Sequence, residues 1–308
     1  MDKKTCWVLT GPTASGKTAL SVRIAKAYDC EIICMDSMQI YRSMDIGTAK
    51  VTPEEMDGVP HHLVDIIEPE DNFTVADYCR LAEQTAEEIF SRGKRPLFVG
   101  GTGFYLRALR HPMPMGEVPG NDELRARLEK QAETEEGKLQ LWHQLNETDP
   151  VTAQKLHVND VRRVVRALEV NLLTGKSFSN QANESPEPKY HYRVVNLSMD
   201  RAVLYDRINR RVDQMMDMGL EQEVRMLLER GLTVQNQAMK AIGYKEMAAY
   251  LGGEYDLDKA VYEIKMGTRH YAKRQLTWMR REEDVLWVDP TCSDAFEQTA
   301  AWFQKGEE

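Results

Sequence analysis

Gly11-Pro12-Thr13-Ala14-Ser15-Gly16-Lys17-Thr18 fits the pattern G-x-x-x-x-G-K-[ST], with a short apolar strand at 5–10 before it and a helical pattern at 17–28 after it. A phosphate-binding loop requires that context. The two glycines let the backbone curl until its N–H groups point at phosphate oxygens, at a helix N-terminus whose dipole favours anions. Lys17 supplies a point charge, and the Thr18 hydroxyl is an oxygen donor for Mg²⁺. All eight residues are expected around a bound phosphate. The bland alternative is a structural glycine turn.

The strand–helix alternation continues outward from the loop. The helix after it carries Ala19, Leu20, Ile24 and Ala27 on one side, and 31–35 and 61–67 read as strands. Thr74 with Asp77 three residues on resembles a capping box, opening a helix that ends at Gly93. Residues 96–101 read as a strand and 104–110 as a short helix. Strands alternating with helices predict a parallel sheet covered on both faces. Residues 111–121, with three prolines and two glycines, break the pattern. Only helices follow, at 122–133, 139–145, 152–156 and 160–173, and then a polar loop at 177–189. A strand at 190–197, a helix capped by Asp200, a long helix at 257–281 and a strand at 285–288 complete the chain. The expected organisation is an α/β core of residues 1–115 and 191–308, interrupted by an all-helical insertion at 116–190.

The 308 residues are 42% hydrophobic and 29% charged, an ordinary globular composition. No run approaches the ~20 apolar residues of a membrane span. The five cysteines include no C-x-x-C pair, and the N-terminus does not resemble a secretory leader. Reduced thiols, a cytoplasmic location and no membrane partner are therefore expected. His61-His62 lacks Cys/His partners at ligand spacing, and the sixteen methionines read as core filler. A net charge of −9 argues weakly against nucleic acid, but the charge is uneven. Residues 259–281 carry seven Lys/Arg against one acid, whereas 117–160 carry ten acids against five bases. Such polarity can place a basic groove on an acidic protein.

A phosphate loop does not say which phosphate it binds. Nucleotide hydrolases hold Mg²⁺ with an acid at the end of a core strand. The strand at 96–101 runs into Gly100-Gly101-Thr102-Gly103, without an acid, whereas the strand at 31–35 is followed by Asp36. An acid there faces the phosphate loop across the carboxyl ends of the strands. Its plain alternative is a turn or helix-cap residue.

Together with the phosphate loop, Asp36-Ser37-Met38-Gln39-Ile40-Tyr41 and Met44-Asp45-Ile46-Gly47-Thr48-Ala49-Lys50 resemble the bacterial tRNA dimethylallyltransferase (isopentenyltransferase) family. So do Val99-Gly100-Gly101-Thr102, the run from Asn159 to Glu169, Ala241-Ile242-Gly243-Tyr244 and Lys273-Arg274-Gln275-Leu276-Thr277-Trp278. These blocks stand in family order. Relatives that prenylate a free adenine nucleotide would share the first part and lack the rest. The resemblance implies a P-loop NTPase-like core, a parallel sheet flanked by helices, with the helical insertion. It implies transfer of a dimethylallyl group from dimethylallyl pyrophosphate to the exocyclic N6 of an adenine. That adenine is the one just 3′ of the anticodon in tRNAs reading codons that begin with U. The loop would then hold pyrophosphate, the leaving group, and not ATP for hydrolysis.

The implied roles follow. Asp36 would accept the proton of the adenine amine as general base. Lys17, the loop amides, Mg²⁺ near Thr18 and an arginine would stabilise the charge developing on pyrophosphate. The motif favours Arg211 as that arginine, with Arg207 and Arg210 close enough to be confused with it. Thr102 would hydrogen-bond around the amine; its alternative is a helix N-cap. The adenine must leave the anticodon-loop stack and enter a channel, with the prenyl donor arriving from the opposite side. Contacts to the tRNA anticodon stem-loop are expected from Asp36, Ser37, Met38, Gln39 and Thr102. Arg125, Arg162, Arg163, Val164, Val165 and Arg166 would add contacts from the insertion. Lys240, Ala241, Ile242, Gly243, Tyr244 and Lys245, with Lys273, Arg274, Gln275, Trp278 and Arg280, would supply the rest. Arg162 stands where the family usually has glutamine, a departure that replaces an amide with charge for the RNA backbone. The bland reading of the last group is a solvated helix face, with Trp278 in the core. A monomer is expected. The rivals are a small-metabolite kinase, which would need an arginine-rich lid, and an RNA-binding regulator with a nucleotide switch.

Overall fold

The computed structural model describes residues 3–112, 120–182 and 187–305. The chain opens with β1 (Thr5–Thr10), α1 (Lys17–Ala27), β2 (Cys30–Cys34), the single turn α2 (Pro53–Met56) and β3 (His61–His62). Next come α3 (Val75–Ser91), β4 (Arg95–Gly100) and α4 (Gly103–Arg110). Five helices follow: α5 (Asp122–Gln131), α6 (Glu135–Thr148), α7 (Pro150–Ala153), α8 (Val161–Thr174) and α9 (Phe178–Ala182). The chain continues through β5 (His191–Leu197), α10 (Arg201–Met218), α11 (Leu220–Glu229), α12 (Tyr244–Leu251), α13 (Leu257–Met279), β6 (Val285–Val288) and α14 (Ala295–Gln304). Two compact units result, one of Met1–Arg110 with Lys189–Glu308, the other of His111–Pro188. The edges of the second unit differ by a few residues from the expected 116–190 insertion.

The first unit is built on a six-stranded sheet of order β3-β2-β4-β1-β5-β6, in which every pairing is parallel. Successive side chains of a strand point to opposite faces. Cys6 and Val8 accordingly join Ile33, Phe98 and Val194 in one apolar layer, while Trp7 and Leu9 join Ile32, Leu97 and Val195 in the other. Both faces are covered, so the strands read as continuous apolar runs. α14 closes the second layer, with Phe303 stacked on Trp7 at a ring distance of 4.8 Å. The smaller unit has its own core, including Leu128, Leu141, Leu145 and Leu168.

Local signals are realised where the sequence carries them. Thr74 accepts from the Asp77 amide at 3.1 Å, and Asp77 returns the bond to the Thr74 amide at 3.1 Å. Asp200 accepts from the amides of Ala202 and Val203 to start α10. Three expectations are corrected. The strand at 61–67 is only His61–His62, because Leu63 and Asp65 take φ of 60° and 54°, outside the extended region; Ile67 bridges Tyr41 alone. α1 buries Leu20, Ser21, Val22, Ile24 and Ala25, leaving Ala19 and Ala27 exposed. The polar stretch at 177–189 contains α9, whose first amides, of Phe178 and Ser179, are taken by Asn171 and Asp149. Caps supplied by residues distant in sequence leave no local signature.

Candidate active site

Strand order brings the candidate residues together. β2, β4 and β1 are neighbours, so Asp36, the Gly100–Thr102 turn and the phosphate loop leave the carboxyl edge of the sheet side by side. Ligands of open α/β sheets bind in that crevice. Met35 donates to the Val99 carbonyl at 2.7 Å and Thr102 to the Met35 carbonyl at 3.2 Å, locking the two strand exits together. A side chain at Gly100 would lie 2.0 Å from the Met35 oxygen, so only glycine permits this approach.

The phosphate loop is curled as its motif requires, with Gly16 at φ 90° directly before α1. The Lys17 ammonium turns back to donate to the carbonyls of Gly11 at 3.0 Å and Pro12 at 2.8 Å. Burial, reinforced by Arg211, pushes its pKa down to about 8, while the Asp36 charge opposes this. The Ser15 hydroxyl is buried with no hydrogen-bond partner among the described residues. Not every loop amide is free: Ser15 N–H takes the Pro12 carbonyl at 3.3 Å, and Thr13 N–H takes the Gln275 side chain at 3.0 Å.

Two arginines of α10 reach this loop. Arg211 donates to the Thr13 hydroxyl at 3.3 Å, and a side chain built at Gly16 would lie 4.0 Å from the Arg207 guanidinium. Positions i and i+4 share a helix face, which places both there. Arg210 points elsewhere and pairs with Asp206 at the exposed surface. Burial lowers the Arg211 pKa, opposed by the charges of Glu55 and Asp36.

Asp36 is half-buried and uses one oxygen to accept the Met38 amide at 2.9 Å, so it also makes the turn that the sequence left open. Thr102 precedes α4 and gives it its carbonyl, yet its hydroxyl accepts from the Ser37 amide at 3.1 Å rather than capping the helix. Tyr271 of α13, which the sequence reading missed, lies near Asp36, Thr102 and Gln275. Burial and then the Asp36 charge push its hydroxyl pKa up, so it stays protonated. Its neighbours in sequence gave no hint, since a tyrosine on an amphipathic helix is ordinarily core.

The residues expected on the RNA side divide. Lys273, Arg274 and Trp278, with His270, Thr277 and Arg281, line a surface recess of about 430 Å³ along α13, and Arg280 is exposed nearby. Trp278 is half-buried, edge-on to Phe104 at 6.3 Å with Arg107 over its ring at 5.9 Å. Lys259 and Lys265 of the same helix are engaged by Glu263 and Asp213. Lys240 and Lys245 are exposed, Ile242 and Met38 half-buried, but Ala241, Gly243 and Tyr244 are buried. Tyr244 donates to Glu223 at 2.5 Å, and that carboxylate also accepts the amides of Asp45, Ile46 and Gly47 at 2.8–3.0 Å. Glu223, unnoticed in the sequence, thus anchors the 44–50 loop. Gln39 turns its amide inward onto the Thr48 and Ala49 carbonyls.

In the smaller unit Arg162 and Arg163 are exposed, while Val164 and Val165 belong to its core. Arg125 and Arg166 both bind the fully buried Glu169, at 3.1 and 2.6 Å. Burial raises the Glu169 pKa, but Arg166, the Asn121 amide and Arg125 together hold it below the usual carboxylate range.

The sequence matches the IPP transferase family model over residues 39–282 and the isopentenyl transferase model over 4–67. The tRNA dimethylallyltransferase of Shouchella clausii is 48% identical over 93% of this chain and 92% of its own length. The chain belongs to the tRNA dimethylallyltransferase family. The family's enzyme from Carboxydothermus hydrogenoformans is 49% identical over 92% of this chain and 91% of its own. The crystal structure of the full-length tRNA isopentenylpyrophosphate transferase of Bacillus halodurans matches with a TM-score of 0.73 at 44% identity, covering 99% of this chain and 98% of that one. A eukaryotic dimethylallyltransferase acting on tRNA matches with a TM-score of 0.82 at 30% identity, covering 97% of this chain and 77% of that one. The family's fold is therefore the P-loop NTPase-like one expected from the sequence. No helix among the described residues is long and apolar enough to cross a membrane.

Proposed function

We propose that this chain transfers a dimethylallyl group from dimethylallyl pyrophosphate to N6 of the adenine 3′-adjacent to the anticodon, in tRNAs that read U-initial codons. The products are N6-isopentenyladenosine and pyrophosphate. The observation that carries this reading is the meeting of a phosphate loop, two cations and one carboxylate in a single crevice: Lys17 and Arg211 on one side, Asp36 beside Thr102 on the other. The adenine amine is a weak nucleophile because its lone pair is delocalised into the ring. Asp36 takes its proton as the N–C bond forms. The allylic C–O bond breaks, and the negative charge left on pyrophosphate meets Lys17, Arg211 and the free loop amides. The Ser37 amide holds the Thr102 hydroxyl beside the amine.

The donor set suits Mg²⁺. Thr18 offers a hard oxygen ligand, and the described residues contain no cluster of three His, Cys, Asp or Glu that would cage a metal. Mg²⁺ is typically held by one or two protein oxygens with water and substrate phosphates. Bound there, it would add positive charge for the leaving group. The enzyme would act in the cytoplasm as a monomer.

The test is to incubate the protein with undermodified tRNA and either dimethylallyl pyrophosphate or ATP. Prenylated tRNA from the first mixture supports the proposal; ATP turnover without it supports a kinase or a nucleotide switch and overturns it.

Two further results are expected. Because Lys17 is cationic below about pH 8 and neutral above it, kcat/KM for dimethylallyl pyrophosphate should fall as pH rises through that value. The pH profile of kcat/KM reports free-enzyme groups; one that stays flat well above pH 8 would remove the Lys17 charge from substrate capture. Replacing Lys273 and Arg274 by alanine should weaken all tRNAs alike and flatten log affinity against log salt by up to about 0.7–0.9 per lost phosphate contact. Binding titrations over a salt series measure this. An unchanged slope would make the run a solvated face and move the footprint to Arg162, Arg163 and Arg166.

A further inference from the structure

Gln275 was expected among the RNA contacts, yet only 7% of it is exposed. Its carboxamide joins two loops. The side-chain oxygen accepts Thr13 N–H of the phosphate loop at 3.0 Å, and the nitrogen donates to the Gly101 carbonyl at 2.9 Å. Both partners are main-chain groups, so the bridge fixes backbone against backbone. Thr13 lies in the loop that binds the leaving group; Gly101 immediately precedes Thr102, beside the attacking amine. Gly101 also leaves room for the bridge, since a side chain there would lie 2.0 Å from the Gln275 nitrogen. The helix carrying Gln275 shows Lys273 and Arg274 to solvent just before it.

We propose that Gln275 is a positioning residue, a clamp that sets the spacing between the pyrophosphate half and the acceptor half of the site. The inference rests on the prenyl-transfer reading, in which the two substrates react across that gap. Each half is built from its own strand exit, so each survives loss of the clamp; their register does not.

Gln275→Met keeps the length and packing of the side chain and removes both hydrogen bonds. Three quantities are to be measured on it: inorganic pyrophosphate affinity, tRNA affinity, and single-turnover transfer with both substrates saturating. Transfer should fall by about 10²-fold, the scale of an ångström-sized misplacement, with each affinity within about threefold of wild type. Gly101→Ala disturbs the same bridge from the other side and should reproduce the loss, and the double variant should lose little more than either alone. A drop mainly in pyrophosphate affinity would make Gln275 part of the phosphate site. A drop mainly in tRNA affinity would return it to the RNA face. Either overturns the proposal, as does unchanged transfer, or a loss that scales with the unfolded fraction in thermal melts. The wild type assayed alongside separates the two levels: no prenylated tRNA from it sinks the functional reading, whereas wild-type transfer matched by both variants sinks only the clamp.

Discussion

Asp36→Asn should lower turnover by about 10²–10⁴-fold, the range for removal of a general base, while tRNA affinity stays nearly intact. On the proposed mechanism the carboxylate has two duties, and asparagine separates them. Its oxygen that accepts the Met38 amide at 2.9 Å has a counterpart in the asparagine carboxamide, so the turn after β2 survives. The capacity to take a proton does not. A secondary effect follows from charge: Asp36 helps keep Lys17 and Arg211 protonated, so the variant should also lose pyrophosphate-substrate capture at a lower pH than wild type. Single-turnover transfer and direct tRNA titration measure the two quantities apart. Near-normal transfer would remove Asp36 from the chemistry.

Lys17→Ala and Arg211→Ala should each cost about 10²–10³-fold in kcat/KM for dimethylallyl pyrophosphate, the scale for losing one preorganised donor to developing charge. Arg207→Ala should also be impaired, because its guanidinium approaches Gly16 from the same helix face. Arg210→Ala is the internal control: that side chain pairs with Asp206 in solvent and should be nearly silent. Lys17 and Arg211 repel one another, which contributes to the depressed Lys17 pKa of about 8. Removing Arg211 should therefore shift the alkaline fall in the remaining activity to higher pH. A crippled Arg210→Ala beside a silent Arg211→Ala would mean that α10 presents a different face.

The kinds of group in this site were legible in the sequence because chemistry and backbone geometry there are local. A phosphate loop needs its glycines, lysine and hydroxyl within eight residues, and a strand followed by an acid writes Asp36 at a carboxyl edge before any packing is known. Alternating apolar runs likewise determine a covered parallel sheet, and the Thr74–Asp77 cap needs no partner beyond its own turn. What the sequence could not decide is where an element meets another across hundreds of residues. The motif favours Arg211 but leaves Arg207 and Arg210 close enough to be confused with it; the rotation of α10 against the loop after β1 separates the two that reach it from the one that faces water. Gln275 and Tyr271 read as members of a basic helix, and Tyr244 as part of an RNA-binding block, until packing turns each side chain inward. Residues 61–67 read as a strand because apolar content is local, whereas the left-handed Leu63 and Asp65 belong to the folded loop. Helix phase and side-chain direction are chosen by which surface can be buried, and that surface exists only after the sheet has brought β2, β4 and β1 side by side.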